Sequence, residues 1–224
     1  MICGPGMILV PFKNLGEAKQ RLAGVLDAHQ RAALAAAMFE DVLDALAALP
    51  ARPSVLVVTG DPWALALARR FEFEVFRDEV NRGETHAIAM ATRHCTAIGV
   101  DWTLVLPADI PLLRADEVQR ILTASPNEGS VLVPAADGRG TNAALRRPAA
   151  LFPLQFGDDS LLPHMAAAEA TGRLCVPLQL AGIALDVDRP ADLVALLERD
   201  ARTRAQRLLH GWNVSERLAL GHCR

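Results

Sequence analysis

The chain has 224 residues, a formal net charge of −3 and an isoelectric point near 6.1, so it holds one large domain or two small ones. Hydrophobic residues make up 51% of the sequence, enough to build a core, which excludes a disordered protein. Aromatic residues make up only 4% and the charge is near zero, which argues against a partner recognised by base stacking or by attraction to a phosphate backbone. The remaining class is a globular protein that acts on a small molecule.

Short apolar runs that stop abruptly predict buried strands, and longer stretches with apolar residues at helical spacing predict helices. In chain order the sequence predicts a strand at 7–11, a helix at 27–49, a strand at 54–59, a helix at 62–70, a strand at 72–76, a helix at 84–98, a strand at 102–106, a helix at 114–124, strands at 130–134 and 141–146, a helix at 158–171, strands at 174–178 and 183–187, and a helix from 190 towards 209. This alternation is typical of a single α/β domain with a mixed, mostly parallel sheet.

The sequence carries no sign of a membrane or an export signal. No stretch reaches about 18 uninterrupted apolar residues, and residues 1–6 lack the basic flank and apolar core of a signal peptide. The four cysteines stand singly, without a C-x-x-C pair for zinc or thiol exchange: Cys3, Cys95, Cys175 and Cys223. We therefore expect a cytoplasmic protein with reduced thiols and with neither a membrane nor a nucleic-acid partner.

The loop after the first strand is basic. In open α/β sheets ligands bind at the carboxyl ends of strands, and this loop places Lys13, Lys19 and Arg21 within nine residues. Three cations together suit a polyphosphate, whose charge needs several donors. The alternative is a solvated turn with its basic residues turned outward. No P-loop or dinucleotide-binding glycine motif is present.

Two other strand ends carry carboxylates. Asp109 stands between two prolines after the fourth predicted strand, where it suits an Mg²⁺ ligand or, alternatively, a helix cap. Asp186 and Asp188 alternate at the end of the predicted strand 183–187, so they point the same way and suit a shared metal. Asp188 also suits the cap of the following helix, which has Pro190 in its first turn.

Two polar loops complete the candidate site. Residues 137–142 form a glycine-rich turn whose backbone N–H groups could cradle an anion. Gly157 and Ser160 stand at a predicted helix start, where anions bind. Ser160 and His164 are four residues apart, but a hydrolase would also need an orienting acid and an oxyanion hole, and no G-x-S-x-G motif exists. We expect His164 to be a packed histidine.

In this order the loops resemble the CofC family, the 2-phospho-L-lactate guanylyltransferases of coenzyme F(420) biosynthesis. The matching segments are Pro11-Phe12-Lys13, Ala18-Lys19-Gln20-Arg21-Leu22, Leu106-Pro107-Ala108-Asp109-Ile110-Pro111-Leu112, Gly140-Thr141-Asn142-Ala143, Phe156-Gly157 with Ser160 and His164, and Leu185-Asp186-Val187-Asp188 with Pro190 and Asp192. The resemblance covers residues 7–197. It implies a three-layer αβα, Rossmann-like nucleotidyltransferase fold as one domain over residues 1–224, with residues 198–224 as a helical extension.

The resemblance also implies a reaction, in which GMP passes from GTP to a small phosphorylated acid and pyrophosphate is released. The acid is 2-phospho-L-lactate, phosphoenolpyruvate or 3-phospho-D-glycerate, according to the member. The resemblance implies that Lys13, Lys19 and Arg21 hold the triphosphate and that these three and Asp109 are catalytic. It implies that Asp109, with Asp186 or Asp188, binds Mg²⁺. It also implies that the acid is bound by Thr141, Gly157 and Ser160 and that the nucleotide lies near Gly83 and Glu84.

The chain departs from the family pattern before the third helix. Where the family usually has Gly-Leu-Asn, this sequence has residues 81–86, with Gly83 and Glu84 at their centre. Glu84 could accept from the N1 and N2 donors of guanine or cap its helix, so another nucleotide or acceptor, as in a cytidylyltransferase, stays an alternative, as does a non-catalytic nucleotide-binding module. The arginine-rich residues 199–224 run past the expected family end and predict a solvated helical extension, with a homodimer contact as the other option.

Overall fold

A computed structural model describes residues 4–50, 53–80, 82–157 and 159–221. These residues form seven strands: β1 (Gly6–Pro11), β2 (Ser54–Thr59), β3 (Glu74–Arg77), β4 (Trp102–Val105), β5 (Gly129–Pro134), β6 (Thr141–Arg147) and β7 (Leu174–Pro177). They also form nine α-helices: α1 (Ala28–Ala47), α2 (Pro62–Arg70), α3 (Glu84–Ala97), α4 (Ala115–Ala124), α5 (Leu161–Glu169), α6 (Ala181–Ala184), α7 (Pro190–Leu197), α8 (Arg204–Gly211) and α9 (Val214–Gly221). In this part of the chain, no helix has the length and apolar character needed to cross a membrane.

The strands make one mixed sheet in the order β3-β2-β1-β4-β6-β5-β7, in which only β6 runs antiparallel to its neighbours among the described strands. The central strand β1 is apolar throughout because both of its faces are covered. Ile8 packs with Phe39 of α1 on one face, and Leu9 packs with Ile88 of α3 on the other. The predicted α/β class with a mostly parallel sheet is confirmed, and the helices make it three layers.

The predicted strand 183–187 is wrong. Residues Ala181–Ala184 form the short helix α6, and residues 185–187 are extended but pair with no described strand. The side-chain amide of Asn142 occupies the carbonyl groups of Ile183 and Ala184, at 3.0 Å each. The carbonyl of Ala184 also accepts from the backbone N–H of Ala136, beyond the end of β5, at 2.7 Å.

The predicted last helix begins at Pro190 as expected, but its continuation towards residue 209 is wrong, because α7 and α8 share that range. α7 ends at Leu197, and α8 begins after Thr203, whose hydroxyl accepts from Gln206 N in a capping box. The predicted cap of α7 by Asp188 is wrong as well, since Asp192 accepts from the backbone N–H groups of Asp188 and Arg189 instead. The predicted start of α5 at residue 158 lies outside the described residues, and the helix begins at Leu161.

The arginine-rich C-terminal segment is part of the core and not a solvated extension. The Asp41 carboxylate on α1 accepts from the backbone N–H groups of Arg204 and Ala205 at 2.9 and 3.0 Å, which fixes the start of α8 on α1. Leu209 of α8 and Val214 of α9 are fully buried in the same apolar cluster as α1 and α7. The prediction failed because the apolar stripe of this segment is interrupted by turns, which hides its amphipathic pattern.

Two of the four cysteines, Cys95 and Cys175, lie in the described residues, and both are free thiols. Cys95 is fully buried on α3. Burial, followed by the charge of Glu74, raises the pKa of its thiol to about 11, so it packs as an unreactive side chain. Cys3 and Cys223 lie outside the described residues.

Candidate active site

The polar loops predicted from the sequence meet at one edge of the sheet. Parallel pairing of β1 with β4 brings their carboxyl ends together, and antiparallel pairing of β6 with β4 brings the start of β6 to the same place. Lys13 follows β1, Asp109 follows β4 and Thr141 begins β6. The fold therefore assembles one site from segments that are far apart in the chain.

Three carboxylates surround one lysine at this edge. The ammonium nitrogen Nζ of Lys19 lies 2.5 Å from Oδ2 of Asp109 and 3.9 Å from Oδ1 of Asp188. Burial alone would lower the pKa of Lys19, but the charges of Asp109, Asp188 and Asp186 outweigh it and raise the pKa above its usual value. Asp109, Asp186 and Asp188, together with Lys19, are called the carboxylate cluster below.

The local backbone explains why two of these carboxylates face the same way. Leu185 and Val187 are buried in the apolar cluster with α7 and α1, so Asp186 and Asp188, which alternate with them, turn to the opposite side. The N–H of Val187 donates to the carbonyl of Asp109 at 3.0 Å and ties this segment to the β4 loop. Their shared direction is thus as predicted, although the segment is not a strand.

Asp109 is not a helix cap, since the cap position of α4 is Arg114. Pro111 follows it closely, and α4 begins only at Ala115, so the Asp109 side chain stays available to the cluster. Of the two roles considered for Asp109, only the one as a ligand or ion-pair partner is compatible with this geometry.

Asn142 is a site residue that sequence reasoning did not single out. Its Nδ2 donates to Oδ1 of Asp186 at 2.9 Å as well as to the two α6 carbonyl groups. Burial, followed by the Asp109 charge, raises the pKa of Asp186, while the Asn142 hydrogen bond opposes that shift. Asn142 therefore holds Asp186 in place and favours its ionised form. The sequence marks it only as part of the matching segment Gly140-Thr141-Asn142-Ala143.

The three cations of the basic loop differ in whether they are paired with a carboxylate. Arg21 Nη1 lies 2.6 Å from Oδ2 of Asp188, and Lys19 is paired with Asp109, so both cations neutralise carboxylates in this structure. Lys13 is exposed and forms no ion pair with the residues that the structure describes. The loop itself is held by Asp61, which accepts from Leu15 N at 3.2 Å and caps α2.

Two clefts open beside the carboxylate cluster. The β1–β2 cleft, about 490 Å³, lies over the ends of β1 and β2 and is lined by Phe12, Gly60, Asp61 and Gly83 among others. The β6–α5 cleft, about 610 Å³, is lined by residues that include Asp109, Asn142, Gly157, Ser160 and Asp186. Lys13 and Glu84 line both clefts. The site therefore has room for two ligands that meet at Lys13 and Glu84.

Two hydroxyl groups line the β6–α5 cleft, and a buried histidine contacts one of them. Ser160 Oγ accepts from the backbone N–H of Thr141, and Thr141 Oγ1 lies 3.0 Å from His164 Nδ1. His164 is 1% exposed, so the prediction of a packed histidine is confirmed and a nucleophilic Ser160–His164 pair is not formed. Burial, followed by the charge of Arg146, lowers the pKa of His164 to about 4, so its imidazole is neutral at neutral pH.

Most of the backbone N–H groups of the glycine-rich turn are not available to cradle an anion, so this prediction is wrong for them. The N–H groups of Arg139 and Gly140 donate to the side chain of Asp137, and that of Thr141 donates to Ser160. These hydrogen bonds lower the pKa of Asp137, so its carboxylate already occupies the turn. A carboxylate on a short side chain competes with a bound anion for the same N–H groups.

Comparison with known proteins decides what kind of site this is. Residues 6–218 match the family described as "Guanylyl transferase CofC like". The chain belongs to this family. It is 35% identical to a phosphoenolpyruvate guanylyltransferase from Conexibacter woesei, with 88% of this chain and 89% of the relative covered. It is 33% identical to a 3-phospho-D-glycerate guanylyltransferase from Colwellia psychrerythraea (84% and 90% covered) and 31% identical to a 2-phospho-L-lactate guanylyltransferase from Methanothermobacter thermautotrophicus (90% and 88% covered).

Solved structures support the fold independently. A crystal structure from Desulfovibrio desulfuricans G20, provisionally described as a nucleotide-diphospho-sugar transferase, superposes with a TM-score of 0.79 at 19% identity and covers 97% of this chain and 98% of that one. The three-layer nucleotidyltransferase fold is confirmed, and the chain is a CofC-like enzyme that transfers a guanylyl group. The family match reaches residue 218, so the expectation that residues 199–224 run past the family end is wrong.

The carboxylate cluster suits a divalent cation by charge and by donor type. Three carboxylates, Asp109, Asp186 and Asp188, face two cations, Lys19 and Arg21, which leaves an excess of negative charge. In the described part of the chain, no three acidic, histidine or cysteine side chains are placed so that together they could hold a metal ion. Lys19 lies where the carboxylates converge, and oxygen donors of this kind are the ones that Mg²⁺ prefers.

Gly83 and Glu84 form the edge of the β1–β2 cleft where the chain departs from the family pattern. Gly83 has a φ of 96°, a left-handed conformation that favours glycine, and it precedes the first turn of α3. The Glu84 side chain caps nothing at that helix start and lines both clefts. Burial, followed by the Asp109 charge, raises the pKa of Glu84 to about 7, although Lys13 and Lys19 oppose the shift.

This pKa predicts a pH dependence of folding stability. Below about pH 4.5 Glu84 is protonated in both states, and between pH 4.5 and 7 only the unfolded state ionises, so stability is lost as the pH rises. Glu84→Gln should therefore be more stable than the wild type at pH 8, on the order of 1–3 kcal/mol, and nearly equal to it at pH 4.5. Denaturant unfolding at both pH values measures this, with exposed Glu169→Gln as the matched control. A pH-independent difference would contradict the assignment.

Proposed function

We propose that this CofC-like enzyme transfers GMP from GTP to a phosphorylated three-carbon acid with Mg²⁺ bound, and releases pyrophosphate as a step in coenzyme F(420) biosynthesis. The observation that carries the proposal is that the two clefts meet at Lys13 and Glu84, directly beside the carboxylate cluster. We propose the cytoplasm as the compartment, which the free thiols of Cys95 and Cys175 support.

The nucleotide takes the β1–β2 cleft in this proposal. Gly83 and Glu84 are at its rim, and the half-buried Glu84 side chain is an acceptor for ring N–H groups when ionised. Lys13 reaches the phosphates where the two clefts join, and Lys19 and Arg21 follow on the same loop. Base recognition then rests on polar contacts, since Phe12 is the aromatic residue among those that line this cleft.

The acid takes the β6–α5 cleft. The Thr141 and Ser160 hydroxyl groups and the Gly157 backbone line this cleft, and all are suited to carboxylate or phosphate oxygens. Arg139 lines the same cleft and adds a cation at its entrance. A small acid that carries one carboxylate and one phosphate group matches this set of donors in both charge and size.

The reaction needs no protein nucleophile. An oxygen of the acceptor phosphate attacks the α-phosphorus of GTP, a new phosphorus–oxygen bond forms, and the bond from the α-phosphorus to the bridging oxygen breaks, so that pyrophosphate leaves with the electron pair. Asp109, with Asp186 or Asp188, would hold Mg²⁺, which when bound would neutralise charge on the phosphates. The residues of the chain hold the two substrates in line, and Lys13 stabilises the charge that develops between the clefts.

The acceptor is the part of the proposal that the motifs leave open. The three acids differ by a methyl, a methylene or a hydroxyl group, and the relatives carry names for all three. Phosphoenolpyruvate is our first candidate because two relatives at 35% and 37% identity carry that name, whereas the relatives named for the other two acids are 33% and 31% identical. The altered segment at Gly83 and Glu84 is the specific reason to test other nucleotides as well.

The deciding experiment is a substrate panel with pyrophosphate release as the readout. GTP, ATP and CTP are each combined with phosphoenolpyruvate, 3-phospho-D-glycerate and 2-phospho-L-lactate, with and without Mg²⁺. We expect pyrophosphate only when GTP, one of the acids and Mg²⁺ are all present. Consumption of CTP would establish the cytidylyltransferase alternative, and no turnover with any combination would refute the proposal.

A further inference from the structure

His164 is held in one tautomer by its hydrogen bonds. Its Nε2 lies 2.8 Å from the backbone nitrogen of Gln155, which can only donate, so Nε2 is the acceptor of that bond and carries no proton. The imidazole is neutral, so its single proton lies on Nδ1. Nδ1–H then donates to Thr141 Oγ1, 3.0 Å away.

This assignment fixes the direction of the Thr141 hydroxyl. Thr141 Oγ1 accepts from His164, so its own proton must point elsewhere, and Thr141 lines the β6–α5 cleft. Ser160 Oγ likewise accepts, from the Thr141 N–H at 3.0 Å, and lines the same cleft. Among the residues that the structure describes, neither hydroxyl finds an acceptor for its proton, although Thr141 and Ser160 are only 6% and 4% exposed.

We propose that His164 is a positioning residue that makes the Thr141 hydroxyl a dedicated hydrogen-bond donor to an anionic oxygen in the β6–α5 cleft. The inference rests on the proposed function, which puts the phosphorylated acid in this cleft. Two buried hydroxyl groups, each of which already accepts one hydrogen bond and has no described acceptor for its own proton, favour a carboxylate or phosphate oxygen in the cleft. His164 touches no reacting atom and acts through Thr141.

Two substitutions of His164 separate positioning from packing. In His164→Asn the side-chain amide nitrogen occupies the place of the imidazole Nδ1 and keeps the donation to Thr141, whereas His164→Gln keeps an acceptor for Gln155 N–H and loses that donor. We expect the KM for the acid to rise about tenfold in His164→Gln and to stay within about threefold in His164→Asn, with the KM for GTP unchanged in both. A packing role predicts the opposite order, because glutamine is nearer to histidine in size.

The tautomer is measured without reference to activity. The chain has six histidines, and ¹⁵N-histidine labelling of the full-length wild type gives the ring nitrogen resonances, with the His164 signals assigned by their loss in His164→Asn. We expect a neutral Nδ1–H tautomer at neutral pH. His210→Asn, an exposed histidine at the end of α8, is the control for both measurements.

The outcomes separate this inference from the proposed function. An Nε2–H tautomer or an imidazolium at neutral pH overturns the inference, and so does a lower acid KM in His164→Gln than in His164→Asn. Absence of turnover in the wild type refutes the proposed function instead, and the tautomer measurement still decides whether Thr141 is held as a donor.

Discussion

Replacing Asp109 with asparagine is expected to slow guanylyl transfer at saturating substrate by about 10³-fold or more, while the protein stays folded. Asp109 follows β4 and lies 2.5 Å from Lys19, at the centre of the carboxylate cluster. In the proposed mechanism Asp109 would bind Mg²⁺ together with either Asp186 or Asp188, so it is needed in both cases. Asparagine keeps the shape of this side chain without its charge. A bound metal ion stabilises the charge of the transition state by several kcal/mol, so the rate falls when the metal is held less well. The side-chain packing around residue 109 is unchanged because asparagine and aspartate have the same shape.

The variant also has a measurable effect that does not depend on turnover. The charge of Asp109 contributes to the raised pKa values of both Asp186 and Glu84, so both values should fall in Asp109→Asn. Lys19 retains Asp188 as a neighbour, so the ammonium is not left without a carboxylate. Unfolding in denaturant is expected to give a midpoint close to that of the wild type at neutral pH.

The matched control is Asp116→Asn. Asp116 is an exposed carboxylate on α4 that pairs with Arg114 at the surface, and surface pairs of this kind contribute little to stability. Steady-state rates with GTP, Mg²⁺ and the best acid from the panel should therefore be unchanged in this variant. If Asp109→Asn kept more than a tenth of the wild-type rate, Asp109 would have no role in metal binding.

The part of the site that sequence could predict follows from local rules. Asp186 and Asp188 face the same way because extended backbone alternates its side chains, and this holds whether or not the segment joins a sheet. Asp109 and Lys13 were found because a buried strand that stops abruptly delivers its next polar residue to the edge of the sheet. These inferences need only the residues on either side of each position.

The part that sequence could not predict depends on which loops meet. Asn142 holds Asp186 across 44 residues, and His164 holds Thr141 across 23. The pairing of Lys19 with Asp109 spans 90 residues, and the sequence did not predict it. No period or motif in a single sequence encodes such contacts, because they arise from the order of strands in the sheet.

The errors in secondary structure have the same origin. Residues 183–187 are a short, mostly apolar run, which periodicity alone cannot assign to a helix or a strand. In the structure the first two of these residues end α6, and their carbonyl groups accept from the Asn142 side chain. The packing of the C-terminal helices against the core was not predicted. The contact that fixes α8, from Asp41 to Arg204 and Ala205, joins segments more than 160 residues apart in the chain.

Lys13→Met is expected to lower kcat/KM for GTP by about 100-fold while the protein stays folded. Lys13 and Lys19 are the only lysines in the sequence, and both follow β1. Lys13 is exposed, has no ion-pair partner among the described residues and lines both clefts, so its charge is available to the phosphates. Loss of one donor that faces developing charge typically reduces the rate about 10²–10³-fold, whereas loss of an exposed side chain rarely affects folding.

The control is Arg70→Met, which removes an exposed cation at the far end of α2 and should leave the rate unchanged. Lys13→Arg should recover only part of the activity, because the planar guanidinium does not reproduce a compact ammonium. If Lys13→Met retained full kcat/KM for GTP, the junction of the clefts would not be where the phosphates bind.

Chemical modification tests the same contact without a substitution. Lys19 is largely buried and its pKa is raised, so its amine is protonated and protected, whereas the exposed Lys13 amine should react first with an N-hydroxysuccinimide ester. GTP with Mg²⁺ is expected to slow acylation of Lys13, as followed by mass spectrometry of the digested protein, and the acid alone should protect it less. Equal acylation of Lys13 with and without GTP would mean that its amine stays in solvent when the nucleotide binds, and Lys13 would then have no place in holding the triphosphate.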